Sequence, residues 1–183
     1  MEDRNKIVEY DNIMYLINEE ESIAGVFGYR KGQERYIIPR SIKQGTNEYY
    51  VTSILPKAFK NIEIEFVQFA SDSVLQTINK KAFLNSEIKH IRIPSSVTSI
   101  GENAFRSCRK IEVFEIPDDS KLQTIDKNAF YGSTIDNITI PSELVDLKED
   151  WCNGTRITKI EVSPKNPRYR LYEDKMIIGK TSI

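Results

Sequence analysis

The sequence predicts an α/β-type repeat solenoid dominated by short β-strands, and two recurring patterns predict it. The first is an Ala-Phe pair that follows an extended segment of the kind Val97-Thr98-Ser99-Ile100. The pairs are Ala58-Phe59, Ala82-Phe83, Ala104-Phe105 and Ala129-Phe130. The second is an apolar triplet, spaced i, i+3, i+5, that begins five or six residues after each phenylalanine. Recurring units of this kind bury a core by stacking, so we expect one elongated domain over residues 1–183.

The spacing of the phenylalanines indicates the kind of repeat. Successive positions are 24, 22 and 25 residues apart, inside the period of about 20 to 29 residues that leucine-rich repeats have. We therefore predict a leucine-rich repeat, right-handed superhelix in which the phenylalanines stack as a spine. In each repeat an extended segment should lead into a short helical turn, with Asn79, Gly101 and Asp126 as N-caps and Pro56 as a first helical residue.

The apolar triplets predict the strands of a parallel concave sheet. Their members are Ile64/Val67/Phe69, Ile88/Ile91/Ile93, Ile111/Phe114/Ile116 and Ile135/Ile138/Ile140. The last two members of each triplet share one strand face, and the proline that follows three of the triplets ends the strand. In a fifth, degraded copy Trp151-Cys152 replaces Ala-Phe, and Ile157/Ile160/Val162 supplies the strand. Residues 51–163 therefore hold about five repeats.

The N-terminal segment, residues 1–50, does not show the repeat and is expected to cap it. Residues 12–17 and 22–27 are apolar runs on either side of a charged turn, which is typical of a hairpin. Such a cap would cover the open edge of the first strand. Tyr36-Ile37-Ile38 resembles the first repeat strand, and an insertion of 11 residues with a turn at 43–46 follows Pro39.

The C-terminal segment, residues 164–183, is predicted to be a closing hairpin that either caps the solenoid or leaves an edge for another chain.

Charge also differs between the ends. Residues 1–35 hold eight acids and five bases, net −3, while residues 155–183 hold seven bases and three acids, net +4. Opposite ends could steer self-association, and a two-fold homodimer is preferred here over a head-to-tail filament. The hairpin residues proposed for this contact are Tyr169, Leu171, Tyr172, Met176 and Ile178.

Composition excludes several classes of partner. The chain has 183 residues, 39% of them apolar, and a formal net charge of −1. Without a basic field it is not expected to bind nucleic acid. No apolar run approaches the length of a membrane span, and the first residues lack a signal-peptide core. On these grounds the chain is expected to be soluble, with no export address.

The two cysteines are not expected to form a disulfide. Cys108 lies three residues after Phe105, whereas Cys152 takes a phenylalanine position two repeats later. If repeats stack at a strand spacing of ~4.8 Å, the two are roughly 10 Å apart, which is beyond the reach of a bridge. Both are therefore predicted to be buried thiols, as in a reducing compartment.

The sequence offers no constellation for catalysis, and no cofactor or metal site is expected. His90 is the single histidine, and strand alternation places it on the solvent side of its strand, without a nucleophile tied to it by spacing. There is no cysteine or histidine pair at metal-ligand spacing. The sequons at Asn137 and Asn153 are expected to be unmodified because no export signal precedes them.

The remaining candidate site is the concave face of the sheet. Residues between the inward apolar positions should point outward in two rows of five. The rows are Phe66, His90, Val113, Asn137, Lys159 and Gln68, Arg92, Glu115, Thr139, Glu161. An exposed aromatic beside charged and amide groups suits a protein partner. The alternative is an ordinary solvated sheet in which Arg92 and Glu115 pair across strands.

The repeat resembles that of the BspA-type leucine-rich repeat family. The resemblance is carried by Ile91-Arg92-Ile93-Pro94, then Val97-Thr98-Ser99-Ile100-Gly101, then Ala104-Phe105 and Cys108, and it extends over about residues 36–163. It implies a surface antigen of the kind found in bacteria and protist parasites, which adheres to host matrix proteins and to other cells. This chain departs from the family pattern in that no leader or membrane anchor is evident.

Two functional hypotheses follow. The first is a non-catalytic module at the cell surface that binds proteins of the extracellular matrix or host cell through its concave sheet and edges. The second is an intracellular scaffold or self-assembling structural protein. The family resemblance favours the first, and the lack of a signal peptide favours a cytoplasmic location and the second.

Overall fold

Short strands build the whole of the described chain. The computed structural model describes residues 5–172 and 176–179, and in these ranges it contains seventeen strands and no helix. In chain order they are β1 (Asn5–Tyr10), β2 (Ile13–Asn18), β3 (Ile23–Tyr29), β4 (Arg35–Ile38), β5 (Ser41–Gln44), β6 (Asn47–Ile54), β7 (Phe66–Phe69), β8 (Thr77–Ile78), β9 (His90–Arg92), β10 (Ser99–Ile100), β11 (Val113–Glu115), β12 (Thr124–Ile125), β13 (Asn137–Ile140), β14 (Asp146–Leu147), β15 (Lys159–Val162), β16 (Tyr169–Tyr172) and β17 (Met176–Gly179).

The strands form two rows with the core between them. The first row is one sheet of nine strands in the order β1-β2-β3-β6-β8-β10-β12-β14, with β5 beside β6. From β3 onward, neighbours along this order are parallel. In the second row β4, β7, β9 and β11 form a parallel sheet, and β13 pairs in parallel with β15. Each turn of the chain adds one strand to each row, which gives a β-solenoid of about six turns.

The predicted spine of phenylalanines is confirmed. Phe59, Phe83, Phe105 and Phe130 are fully buried. Their rings stack with centroid distances of 5.1, 5.0 and 5.5 Å and interplanar angles of 11° or less. Each stacked pair adds about 0.5 to 1.5 kcal/mol beyond the burial of its area. The spine therefore holds successive turns in register.

The predicted helical turns are wrong, and with them the α/β class. The turn that carries each phenylalanine bonds alternately to itself and to the next repeat. Leu84 N–H donates three residues back, to Lys81 O, whereas Phe83 N–H donates to Ala104 O at 2.8 Å and Phe105 N–H to Ala129 O at 2.7 Å. Residues two positions before and after each phenylalanine also have positive φ, as at Lys81 (60°) and Asn85 (56°). Because a right-handed helix excludes that alternation, the segment is a series of turns.

The degraded fifth repeat is confirmed in the alignment that the sequence predicts. Phe130 N–H donates to Trp151 O at 2.8 Å, so Trp151 takes the alanine position. Asp150 and Gly154 have φ of 57° and 69°, which places Cys152 in the phenylalanine position. The Trp151 ring contacts Phe130 edge-on at 6.0 Å, and so the indole closes the spine.

The N-terminal segment contains both a cap and a further turn of the solenoid. The predicted hairpin is confirmed as β2 and β3, which pair antiparallel, and β4 pairs in parallel with β7 as predicted. The prediction that the whole of residues 1–50 caps the repeats is incomplete, because β3 and β4 form a sixth turn. Tyr29, the last residue of β3, stacks on Phe59 at 5.6 Å and so begins the spine. β1 was not predicted from the sequence.

Both cysteines are free, as predicted. Cys108 is fully buried, and its thiol donates to Phe83 O at 3.0 Å and contacts Ser86 Oγ at 3.2 Å. Cys152 is only half-buried, so the expectation that both thiols are buried is wrong for this residue. The reason is that Cys152 stands at the end of the spine, where no further turn covers it.

Candidate protein-interaction face

The ten residues predicted for the concave face all lie on second-row strands and alternate with buried residues. Between the outward positions, Val67, Ile91 and Phe114 are 1%, 2% and 8% exposed. We call the outward side chains of β4, β7, β9, β11, β13 and β15 the ladder face. In its first row Phe66 lies opposite His90, and His90 opposite Val113. The alternation therefore places each side chain on the face that the sequence assigned.

An aromatic pair occupies the middle of the ladder face. The rings of Phe66 and His90 stack with centroids 4.8 Å apart and an interplanar angle of 8°. His90 Nε2 also lies 3.6 Å from Glu112 Oε2, and both rings are half-buried. Stacking holds the imidazole against the Phe66 ring, beside the exposed Val113.

Charged pairs border this aromatic pair. Arg92 Nη1 lies 3.2 Å from Glu115 Oε2, the cross-strand pair that the alternative of an ordinary solvated sheet predicts. On the neighbouring row, a short hydrogen bond from Lys89 lowers the pKa of the Glu65 carboxyl and raises that of the Lys89 ammonium. Nearer the C-terminus Lys159 and Glu161 form a pair at 2.5 Å. Exposed pairs of this kind contribute little to stability, but they fix the pattern of charge that a ligand meets.

The ladder face is longer at its N-terminal end than the sequence analysis predicted. In β4 the outward residues Arg35 and Ile37 lie opposite Phe66 and Gln68, and Ile37 is 47% exposed. The sequence pattern could have predicted Arg35 and Ile37 as outward residues, because they alternate with the inward apolar residues Tyr36 and Ile38 of the same strand. A groove of about 470 Å³ runs from Ile37 past Gln68 to Arg92 and Pro94, open to solvent along its length.

The ladder face is divided between β11 and β13. The four-stranded sheet ends at β11, and β13 pairs with β15 in a separate sheet, so the predicted single sheet is wrong at this point. The acidic side chains of Asp118 and Asp136 line the groove that separates the two parts. Asn137, Thr139, Lys159 and Glu161 therefore form a second patch, apart from the one centred on Phe66 and His90.

The C-terminal hairpin is confirmed, since β16 and β17 pair antiparallel, but its proposed contact residues change. Tyr169 is 8% exposed, and its hydroxyl accepts a hydrogen bond from Leu147 N–H at 2.9 Å. It therefore closes the end of β14 and is not free for self-association. Leu171 is half-buried. Tyr172, Met176 and Ile178 lie on the hairpin strands, and their side chains are outside the described residues.

The described residues contain no group of three or more histidine, cysteine, aspartate or glutamate side chains that could hold a metal ion. In the same part of the chain, no helix is long and apolar enough to cross a membrane.

Six turns of parallel strands around a stacked aromatic spine define a leucine-rich repeat protein, a class that typically serves protein interaction and is typically non-catalytic. A family model described as the BspA type leucine-rich repeat region matches residues 40–169 in six copies. This match covers well over half of the sequence, and the chain belongs to the BspA-type leucine-rich repeat family. The matched residues begin after β4, so the turn formed by β3 and β4 lies outside the match.

Several solved structures share the fold. The pneumococcal vaccine antigen PcpA is 21% identical with a TM-score of 0.79, and the match covers 96% of this chain and 54% of PcpA. A leucine-rich repeat protein from Bacteroides ovatus is 26% identical with a TM-score of 0.69, over 84% of this chain and 40% of that one. A leucine-rich cell surface protein from Faecalibacterium prausnitzii is 16% identical with a TM-score of 0.52, over 100% and 60%. The chain thus spans 40 to 60% of these proteins. No curated protein gives a significant match.

Proposed function

We propose that this protein is a protein-binding repeat module that takes up its ligand on the ladder face. The observation that carries the proposal is the stacked pair of Phe66 and His90 at the solvent surface, with Val113 on one side and Arg92 nearby. Aromatic and arginine side chains dominate the binding energy of protein interfaces. Here stacking already orders the two rings, so they lose little conformational entropy when a ligand binds.

The ligand in this proposal is a protein of the extracellular matrix or of a host cell, and the site of action is the cell surface. Family membership supports this, as do solved relatives described as a vaccine antigen and as a cell surface protein. The mixed charge of the ladder face suits a protein with both acidic and basic groups. A strongly acidic polymer such as nucleic acid would meet Glu115, Asp118 and Asp136.

A triple substitution tests the binding face. Replacing Phe66, His90 and Arg92 with alanine should weaken capture of purified matrix proteins by more than roughly a hundredfold, because truncation of each hot-spot residue costs about 1 kcal/mol or more. Biolayer interferometry with a panel of immobilised matrix proteins measures the change.

The matched control replaces Arg106 and Tyr131 with alanine. These residues also form a cation and aromatic pair, with 4.6 Å from the Arg106 guanidinium carbon to the Tyr131 centroid, but they lie on the turns beside the spine. Binding should survive in this variant, and both variants should keep the circular dichroism spectrum of the native protein. Full binding by the triple variant would remove the ladder face from the proposal.

Location separates this proposal from an intracellular scaffold. Antibody against the chain should stain intact, unpermeabilised cells if the module acts at the surface. Staining that requires permeabilisation would instead favour the scaffold, whatever the binding assay shows. The two experiments therefore test location and ligand binding independently.

A further inference from the structure

The first strand of the nine-stranded sheet is an open edge. β1 pairs along its whole length with β2, and within the described residues it is the last strand on that side. Backbone N–H and C=O groups on the other side of β1 therefore face away from the sheet. Such an edge is a template for pairing with a further strand.

Apolar exposure is highest at this same edge. Ile7 is 54% exposed and Tyr10 is 48% exposed, the two largest values among the large hydrophobic side chains of the described chain. Ile7 continues an outward apolar row, because it lies opposite Leu16, and Leu16 lies opposite Gly25. Leu55 covers Gly25 so closely that an added Cβ would meet its Cγ at 2.8 Å. The row ends at β1, where the side chain of Ile7 is exposed to solvent.

The charges on β1 permit a second copy of the same strand to approach. The Glu9 carboxylate is already paired with Arg30 at 2.7 Å, so it does not repel a neighbour as a free acid would. Residues that lie opposite each other in a sheet have side chains on the same face. In a pair of β1 strands, the inward Val8 must therefore lie opposite an inward residue of the second copy. An antiparallel pairing centred on Val8 meets this condition. It places Lys6 opposite the partner's Tyr10, a favourable cation and aromatic contact, and Ile7 opposite the partner's Glu9.

At the other end of the nine-stranded sheet, the residues after β15 cover the last strand, β14. Asn166 Nδ2 donates to Pro141 O and Leu144 O at 2.7 and 2.9 Å, and the Tyr169 hydroxyl accepts from Leu147 N–H. An edge that is open at one end and covered at the other favours a self-complementary contact over a head-to-tail chain. Because a two-fold contact uses the same edge from both copies, it closes after two molecules.

We propose that β1 of one protomer pairs antiparallel with β1 of a second copy of this chain across a two-fold axis, which joins the two nine-stranded sheets into one. This moves self-association from the C-terminal hairpin to the N-terminal edge. A single pair of edge strands buries less surface than a stable dimer requires, so the dimer is weak and forms over the micromolar range.

Sedimentation velocity at increasing concentration of the full chain tests the proposal. The native protein should shift from monomer to dimer and form nothing larger. Ile7→Glu replaces the exposed apolar side chain with a carboxylate that the partner strand would desolvate twice per dimer, and it should weaken association at least roughly tenfold. Ile37→Glu is the matched control, since Ile37 is a similarly exposed isoleucine on β4, and it should leave dimerisation unchanged.

Hydrogen exchange identifies which strand forms the dimer contact. Amides of β1 should become more protected as the native protein dimerises, whereas Ile7→Glu should show no such gain. Three results would overturn the proposal: a monomer throughout, higher oligomers without a dimer limit, or a dimer whose β1 amides stay unprotected. Unchanged dimerisation of Ile7→Glu with a native circular dichroism spectrum would overturn it as well. None of these outcomes bears on ligand binding by the ladder face.

Discussion

Polar side chains three positions after the spine positions bond to spine carbonyl groups, either of the preceding turn, as for Cys108 and Thr155, or of their own turn, as for Ser133. At this position Cys108 donates to Phe83 O at 3.0 Å. The Ser133 hydroxyl donates to Phe130 O at 2.6 Å, and the Thr155 hydroxyl donates to the same oxygen at 2.5 Å. Phe83 O and Phe130 O also accept the backbone N–H groups of Ser86 and Ser133, so the side chains add further bonds to carbonyl groups that are already paired. Burial raises the pKa of the Cys108 thiol to about 11, and hydrogen bonds with Ser86 partly offset that shift.

The raised thiol pKa makes stability depend on pH in the alkaline range. The unfolded chain should ionise Cys108 near 9.0 and the folded chain near 11, so unfolding releases a proton between these values. The contribution is fully present below pH ~9 and is lost as the pH rises towards ~11, by up to about 3 kcal/mol. Cys108→Ser keeps a hydrogen-bond donor but does not titrate there. We therefore expect the free energy of unfolding, measured with urea at steps from pH 8 to pH 11, to fall less steeply for this variant than for the native protein.

Tyr15 provides an internal check on that experiment. Burial, with smaller effects of Asp11 and Tyr10, raises the pKa of its phenol, so it also favours unfolding at high pH. Both proteins contain Tyr15, and its effect cancels in the difference between their curves. Parallel curves for the native protein and Cys108→Ser would show that the thiol stays neutral in both states or ionises in both.

At the scale of the element, a single side chain organises the C-terminal end. Asn166 is fully buried. Its amide nitrogen donates to Pro141 O and Leu144 O, while its carbonyl oxygen accepts from Arg168 N–H at 2.8 Å and Tyr169 N–H at 2.7 Å. One residue thus bonds the turn after β13 to the start of β16. This arrangement is the reason that the last repeat can end without leaving buried backbone groups unpaired.

Removing that side chain should open the end of the solenoid. Asn166→Ala leaves four backbone groups without these partners, three of them in buried bonds, and we expect a loss of about 3 kcal/mol or more in the free energy of unfolding. Tyr169→Phe removes only the hydroxyl that accepts from Leu147, for which about 1 kcal/mol is expected. Urea denaturation of both variants measures the difference. Similar losses of unfolding free energy in the two variants would contradict the conclusion that Asn166 organises this end of the solenoid.

At the scale of the whole molecule, coupling between turns is uneven. Between β11 and β13 the second-row sheet is interrupted, while the first row continues from β10 to β12. Phe114 partly bridges the interruption, because its ring contacts Phe105 and Phe130 edge-on at 5.4 and 5.1 Å. In a solenoid each turn is stabilised by its neighbours, so a weak junction separates two cooperative units.

Native-state hydrogen exchange should detect that junction. Amides of β13 and β15 are expected to exchange through an opening of lower free energy than those of β7 and β9, because they lie beyond the interruption and next to the end of the spine. Phe114→Leu should weaken the aromatic contacts across the interruption. The difference in opening free energy between the two groups of strands should therefore increase. A single opening free energy for all four strands, in both proteins, would show that the six turns unfold as one unit.

The sequence by itself determined the repeat. Four Ala-Phe pairs fixed the stacked spine, and the alternation around Val67, Ile91 and Phe114 fixed which side chains face outward, because a period of two leaves one choice of face. It also determined the substitution of Trp151-Cys152 for Ala-Phe. These features are local, and a pattern repeated along the chain reports them directly.

Only the tertiary structure decided the rest, because it depends on contacts between turns. A turn with Ala-Phe can bond wholly along itself, as a helix does, or share its bonds with its neighbour, and the bond from Phe83 to Ala104 shows that it shares them. Tyr29 joined the spine although no alanine precedes it, and Tyr169 turned inward to cover β14. The division of the ladder face and the open edge at β1 arise in the same way, since an edge exists only once every other strand has found its partner.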